Sequence, residues 1–224
     1  MHEINTQADG KSEISVVLRC KNEEQFIGHS IQSLIDFIDN PEVIVINDRS
    51  TDDSMDIVRM FEHHVDIKKT VVEDYSPGKA LNAGVKLAKH PYVLVISAHC
   101  VLTKLDLRKH LLDLESYCVV FGRQIACDRG RKTGCRYVWS NFVSERVVNM
   151  HSELEDRYFL HNGLALYKRQ TLLDHPFDEV LYTKEDRYWI NDMVKNENLK
   201  FVYDPSMECI HHWTPGGATW KGIG

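Results

Sequence analysis

The sequence predicts an α/β protein: a Rossmann-like, mostly parallel sheet with helices on both faces. Three observations carry this. Continuous apolar runs of strand length recur at "ISVVL" (14–18), "EVIVIN" (42–47) and "YVLVIS" (92–97), as expected of strands buried on both faces. Segments with apolar residues at helical spacing separate them. Strand, helix, strand, helix and strand in that rhythm make a parallel sheet with covered faces.

The elements follow in order. After the first strand, Asn22 and Gln25 make a capping-box-like helix start, and Ile27, Ile31, Leu34, Ile35 and Ile38 form one helical face. The second strand leads into "DRSTDDS", where Ser50 or Asp52 suits a helix cap, and Met55, Val58 and Phe61 mark that helix's inner side. "IKKTVVE" (67–73) reads as a third strand. The loop "DYSPGK" then opens a helix carrying Leu81, Gly84, Val85 and Ala88 inward. The fourth strand stops abruptly at Ser97, Ala98, His99 and Cys100. Residues 122–160 are charged and weakly periodic, with Arg123, Arg129, Arg131, Lys132 and Arg136 close together, and read as a mobile or partly helical excursion over the sheet edge. "GLALYK" (163–168) returns to strand, "EDRYWINDMVKN" is helical, and "KFVYDPSMECIHH" is extended. A polar tail over 1–13 precedes a single domain over 14–224.

Composition narrows the function classes. A net charge of -6 argues against a general nucleic-acid binder. The six cysteines (Cys20, Cys100, Cys118, Cys127, Cys135 and Cys209) form no CxxC pair, the N-terminus lacks a signal-peptide pattern, and no apolar run is long enough to span a bilayer. The expectation is a cytoplasmic protein with free thiols. "PGK" lacks P-loop spacing, and neither GxGxxG after the first strand nor GxSxG occurs, which disfavours an ATPase, a dinucleotide oxidoreductase and a hydrolase.

In doubly wound sheets ligands bind beyond the carboxyl ends of the strands. His99 and Asp48 sit at such ends, although a loop acid such as Asp48 is more often a helix-capping residue. Asp186 shares a stripe with Trp189, Ile190 and Met193, while Arg187 and Asn191 fall on other faces; an inward carboxylate should have a raised pKa, as a general base requires. Glu185 fits a helix-dipole acid better. His211 and His212 point to opposite faces of an extended segment, so one of them could join His99 around a divalent cation. Arg19, Lys21 and Lys79 could hold a diphosphate or be solvated surface charges.

The series "ISVVLRCKNEEQFIGHSIQSL", "EVIVINDRSTDDSMDIV", "YSPGKALNAGVKLAKHPYVLVISAHC", "NGLALYKR" and "FDEVLYTKEDRYW" resembles the family-2 inverting glycosyltransferases of the GT-A fold, over about 14–212. The resemblance implies a nucleotide-binding half over 14–100 and an acceptor-binding half over 101–224. It places Arg19, Lys21, Asn22 and Glu23 around the nucleobase, makes Asp48 the acid that reads the base, and sets Lys79 and Asn82 beside the donor. Ser97, Ala98 and His99 fall on the metal-holding DXD motif, Asp186 on the acceptor-deprotonating acid, and His211 or His212 on a further metal ligand. Both DXD acids are replaced, so a cation such as Mn²⁺ or Mg²⁺ would meet imidazole rather than carboxylate. "LRCKNEE" and "ISAHC" look like a subset linked to bacterial cell-surface polysaccharides, including rhamnosyl transfer. The implied partners are a nucleotide-sugar donor and a glycan or lipid-linked acceptor, with peripheral membrane contact and no nucleic acid. A GT-A binding subunit without turnover is the alternative; a nucleotidyltransferase ranks lowest, because "RCKNEEQF" lacks the glycine-rich loop it would need.

Overall fold

The computed structural model describes residues 13–133, 137–215, 217 and 219. Strand β1 (Ile14–Cys20), helix α1 (Ile27–Phe37), β2 (Glu42–Asn47), α2 (Ser54–Phe61), β3 (Asp66–Val71), α3 (Pro77–Leu87) and β4 (Tyr92–Ser97) alternate as the apolar runs require. Then follow β5 (Cys100–Lys104), α4 (Leu107–Asp113), β6 (Val119–Asp128), β7 (Arg131–Lys132) and a 3-10 turn over Tyr137–Asn141. The short strands β8 (Val147–Val148), β9 (His151–Ser152) and β10 (Arg157–Tyr158) precede β11 (Leu164–Lys168), α5 (Arg169–Asp174), α6 (Glu185–Lys195) and β12 (Val202–His212).

The main sheet runs β3-β2-β1-β4-β11-β6-β12-β5, with β7 beside β6 and β8 beside β12; β9 and β10 pair separately. β1 is parallel to β2 and β4, and β2 to β3, with Arg19 opposite both Ile46 and Ser97. β11 runs antiparallel to β4 and β6, while β6 and β12 are parallel. The carboxyl ends of β1, β2, β4, β6 and β12 and the amino end of β11 therefore share one edge.

Side chains alternate across β1: Val17 joins the core beneath α3, α5 and α6, while Val16 and Leu18 join the core beneath α1, α2 and α4. Gly84 lets α3 lie close on β1, because a Cβ there would come within 2.9 Å of Val17 Cγ2.

Several expectations change. Residues 122–160 are not an edge excursion: they begin inside β6, a ten-residue strand in the interior of the sheet. Arg123 pairs with Glu208 at 3.8 Å, and Arg136 lies outside the described residues. Helix α1 starts at Ile27 with no side-chain cap. Asn22 has φ 53 and its Oδ1 accepts from Thr51 N, so it ties two loops together instead. β3 ends at Val71, short of the expected 73. Cys135 is outside the described residues, and the other five cysteines are free and buried. Among the described residues no helix is long and apolar enough to cross a membrane.

Candidate active site

The shared strand edge gathers most of the expected residues. Arg19, at the end of β1, reaches across the sheet, and its Nη1 donates to Glu185 Oε1 at 3.0 Å. Burial acts to lower the Arg19 pKa, but Glu185, Tyr75 and Asp186 hold it above the ordinary value. Lys21 donates to Asp48 Oδ2 at 2.7 Å across the β1 and β2 ends. Tyr75, which sequence reasoning missed, lies close enough to Arg19, Asp48 and Lys21 to feel their charges.

Glu185 and Asp186 open α6 directly after Lys184, whose φ of 61 turns the chain into the helix. Asp186 is buried, as the helical stripe required, and Glu185, expected as a helix-dipole acid, is buried as well. The expected rise in the Asp186 pKa is not what the structure gives. Burial pushes it up, but Arg187, His161 and the Asn162 N–H outweigh that and hold it below the usual carboxylate range. Arg187 is not on an outer face either: it is buried, its Nη1 donates to both Asp186 oxygens at 2.9 Å, and its guanidinium lies 4.4 Å over the Phe159 ring. Glu185 is the acid whose pKa rises, through burial and then the neighbouring Asp186 charge.

The third cluster is imidazole. His99 Nε2 and His211 Nε2 stand 3.1 Å apart. His99 Nδ1 faces Glu23 Oε1 at 2.7 Å, and His211 Nδ1 faces Gln124 Oε1 at 2.7 Å. With an acceptor fixing the N–H on each Nδ1, the two Nε2 lone pairs face each other, an arrangement that a shared ion satisfies and a hydrogen bond between the rings does not. Two nitrogens about 2.1 Å from one ion at roughly a right angle stand about 3 Å apart, so the pair fits a shared divalent cation. Cys100 Sγ lies within 4.8 Å of these nitrogens. Burial, then His99 and His161, push His211 well below the ordinary histidine value, which keeps it a neutral ligand. His212 turns away and stacks on Phe26, with centroids 4.3 Å apart.

Other expected donor residues serve the scaffold. Asn82 spends its amide on Phe177 N, Phe177 O and Glu179 Oε1, clamping the loop before α6. Asn22 and Ala98 bond within the framework; Ala98 N donates to Arg19 O at 3.2 Å. Ser97 N donates to Gly163 O at 3.4 Å, joining β4 to β11. Glu23 lies against His99 rather than in the Lys21–Asp48 corner. Lys79 is half-buried in the first turn of α3, where its backbone N bonds the Ser76 cap.

Gln124, His161 and Asn162 were missed. Burial and the Arg187 charge press the His161 pKa down to about 3, and its Nδ1 accepts from Gly163 N at 3.0 Å. "HN" directly before "GLALYK" was the available signal: polar residues at the entry to a buried strand.

A strand edge with paired cations, an inward acid pair and two facing imidazoles suits a phosphorylated ligand. Comparison with known proteins gives the fold and the family. TarS of S. aureus (residues 1–349) in complex with UDP-GlcNAc superposes with a TM-score of 0.70 at 21% identity, over 94% of this chain and 61% of that one. GalNAc-T7 with UDP, GalNAc and Mn²⁺ gives 0.67 at 14% identity, over 92% and 45%. These likenesses establish the GT-A fold. The poly-beta-1,6-N-acetyl-D-glucosamine synthase of Staphylococcus epidermidis is 32% identical over 91 residues, 40% of this chain and 22% of that protein. A poly(ribitol-phosphate) beta-glucosyltransferase of Bacillus spizizenii is 33% identical over 92 residues, 38% and 14%. The chain thus spans less than a quarter of these relatives' length. The profile of glycosyl transferase family 2 matches residues 15–175, from the first strand past His99 to the end of α5, and the chain belongs to that family.

Proposed function

We propose that this chain is an inverting glycosyltransferase, moving a sugar from a nucleotide-sugar donor to a hydroxyl of a glycan or lipid-linked acceptor in bacterial surface-polysaccharide synthesis. The observation that carries this is the buried Glu185–Asp186 pair, joined through Arg19 to the strand edge where the donor would lie. The relatives' names support the polysaccharide class.

In this reading Asp48 accepts a hydrogen bond from the nucleobase. Arg19 and Lys21 meet the diphosphate. The acceptor oxygen attacks the anomeric carbon opposite the departing nucleotide, and Asp186, ionised at neutral pH, takes its proton. General-base help of this kind contributes about 10²–10⁴-fold. His99 and His211 would hold a divalent cation, which when bound adds positive charge beside the leaving diphosphate. The reading places the protein on the cytoplasmic side of a membrane, touching it peripherally to reach a lipid-linked acceptor.

The test is Asp186→Asn, assayed for sugar transfer and, by thermal stabilisation, for binding of UDP, dTDP, GDP and CMP. Turnover should fall by about 10²-fold or more while binding of the preferred nucleotide persists. A variant with near-normal rates would sink the assignment. A second reading, a binding subunit without turnover, draws on the engagement of both Asp186 oxygens by Arg187 and Asn162. Nucleotide binding by a wild type that transfers no sugar would favour it.

A further inference from the structure

The side-chain donors at the candidate cation site are nitrogen and sulfur. His99 Nε2 and His211 Nε2 face each other at 3.1 Å, and the third donor within 4.8 Å is the Cys100 thiol. Among the described residues, the carboxylate that meets the pair, Glu23, lies behind a ring, on His99 Nδ1. Gln124 is held in register: its Nε2 donates to His161 O at 3.4 Å, which turns Oε1 toward His211. Mg²⁺ requires near-octahedral oxygen ligands and sheds water reluctantly, whereas imidazole suits the later first-row ions, whose affinities climb from Mn²⁺ through Co²⁺.

We propose that this site, on the reading that it is the donor-side cation site, selects a nitrogen-loving d-block cation over Mg²⁺, with His99 and His211 as ligands and Glu23 and Gln124 as the positioning residues that aim them. The order of affinity follows as Zn²⁺ and Co²⁺, then Mn²⁺, then Mg²⁺. Carboxylate-first sites follow the same first-row order but also offer Mg²⁺ the oxygen ligands it prefers, which these side chains do not. The sequence expectation of Mn²⁺ or Mg²⁺ narrows accordingly.

The test is calorimetric titration of the chelator-treated chain with each of the four chlorides, together with the visible spectrum of the Co²⁺ form. One equivalent of Zn²⁺ or Co²⁺ should bind at least about 100-fold more tightly than Mg²⁺. His99→Ala and His211→Ala should each abolish the Co²⁺ spectrum. Gln124→Ala should weaken binding about 10–100-fold, and Gln124→Glu, which still accepts from His211, should restore it. Should a histidine variant fail to fold, imidazole ¹⁵N signals of the wild type decide: Zn²⁺ must shift two Nε2 resonances. Mg²⁺ within tenfold of Zn²⁺, or a Co²⁺ spectrum indifferent to both histidines, overturns the inference. UDP, dTDP, GDP and CMP binding, measured with each cation and with chelator, separates the two ideas. Nucleotide binding without cation selectivity overturns this inference alone. No nucleotide binding under any condition overturns the glycosyltransferase reading, while the titration still decides the cation order.

Discussion

Substituting Gly163 by alanine should disturb the imidazole pair without touching it. An added Cβ would lie 2.8 Å from Gln124 Cδ and 2.9 Å from Nε2, and closer still to Oε1. Gly163 is not among the residues with positive φ, so alanine meets no backbone penalty and the whole effect is this contact. Gln124 is buried and bonded at both ends of its amide, to His211 Nδ1 and to the His161 carbonyl, so it cannot move without losing one of them. Overpacking costs about 1–3 kcal/mol. A lost bond to a buried group costs about 1–3 kcal/mol more. Gly163→Ala should therefore lose about 2–6 kcal/mol in urea unfolding. Gln124→Ala removes the obstacle as well as the bonds. The double variant should thus be more stable than the two single losses sum to, by about 1 kcal/mol or more. A Gly163→Ala cost below about 0.5 kcal/mol, or strict additivity, would refute the claim that this glycine exists to admit Gln124.

Glu185→Gln removes the charge that Arg19 meets at 3.0 Å. Nucleotide binding should tighten a few-fold as Arg19 is released, while turnover falls; parallel loss of both would mark the pair as purely structural. His212→Ala should lose its stack on Phe26, worth about 1 kcal/mol, and leave cation titrations unchanged. Burial acts to raise the Asp204 pKa, but its bonds with Lys109 and Ser206 prevail and bring it from 3.8 to about 2. A depressed carboxylate stabilises the fold above its unfolded pKa and loses that contribution as pH falls through its folded one. Asp204→Asn should therefore cost about 2 kcal/mol at pH 7, with the gap to wild type closing between pH 4 and 2; a gap constant with pH would contradict this.

The parts legible in the sequence are those where one physical cause dominates. β1, β2 and β4 are buried on both faces, and α1 has a clean apolar stripe, so burial alone writes them. β6 was obscured because it serves two masters. Its first half lies in the core, while its second half runs to the site edge and carries Arg123, Gln124 and Asp128. Gln124 looks like a loop residue in sequence and is buried because His211 needs an acceptor. The helical stripe located Asp186 correctly in the interior but misjudged its proton affinity. Neighbouring helix residues ordinarily diverge; in the first turn of α6 the long Arg187 side chain instead folds back onto Asp186. The sequence offered His211 or His212 as a partner for His99; across 112 positions only the sheet register, with His211 opposite Cys100, could decide between them.

The charges of this edge are paired within the protein itself. Arg19 meets Glu185, Lys21 meets Asp48, and Arg187 meets Asp186. A diphosphate that draws on Arg19 or Lys21 must take each from its resident acid. Lys21 is the more exposed of the two nearest cations, with 61% of its side chain accessible against 17% for Arg19, so it is the first to exchange. Arg19 is the consequential one. If the donor draws Arg19 away, Glu185 loses the cation that lowers its pKa while Asp186 continues to raise it. Proton affinity at the acid pair should then climb as the donor arrives, coupling donor binding to readiness of the base. That coupling favours an order in which the nucleotide sugar binds before the acceptor. It also gives a reason for an arginine at the end of β1: a lysine could neutralise the diphosphate, but the longer, forked guanidinium can leave Glu185 and grip two phosphate oxygens together.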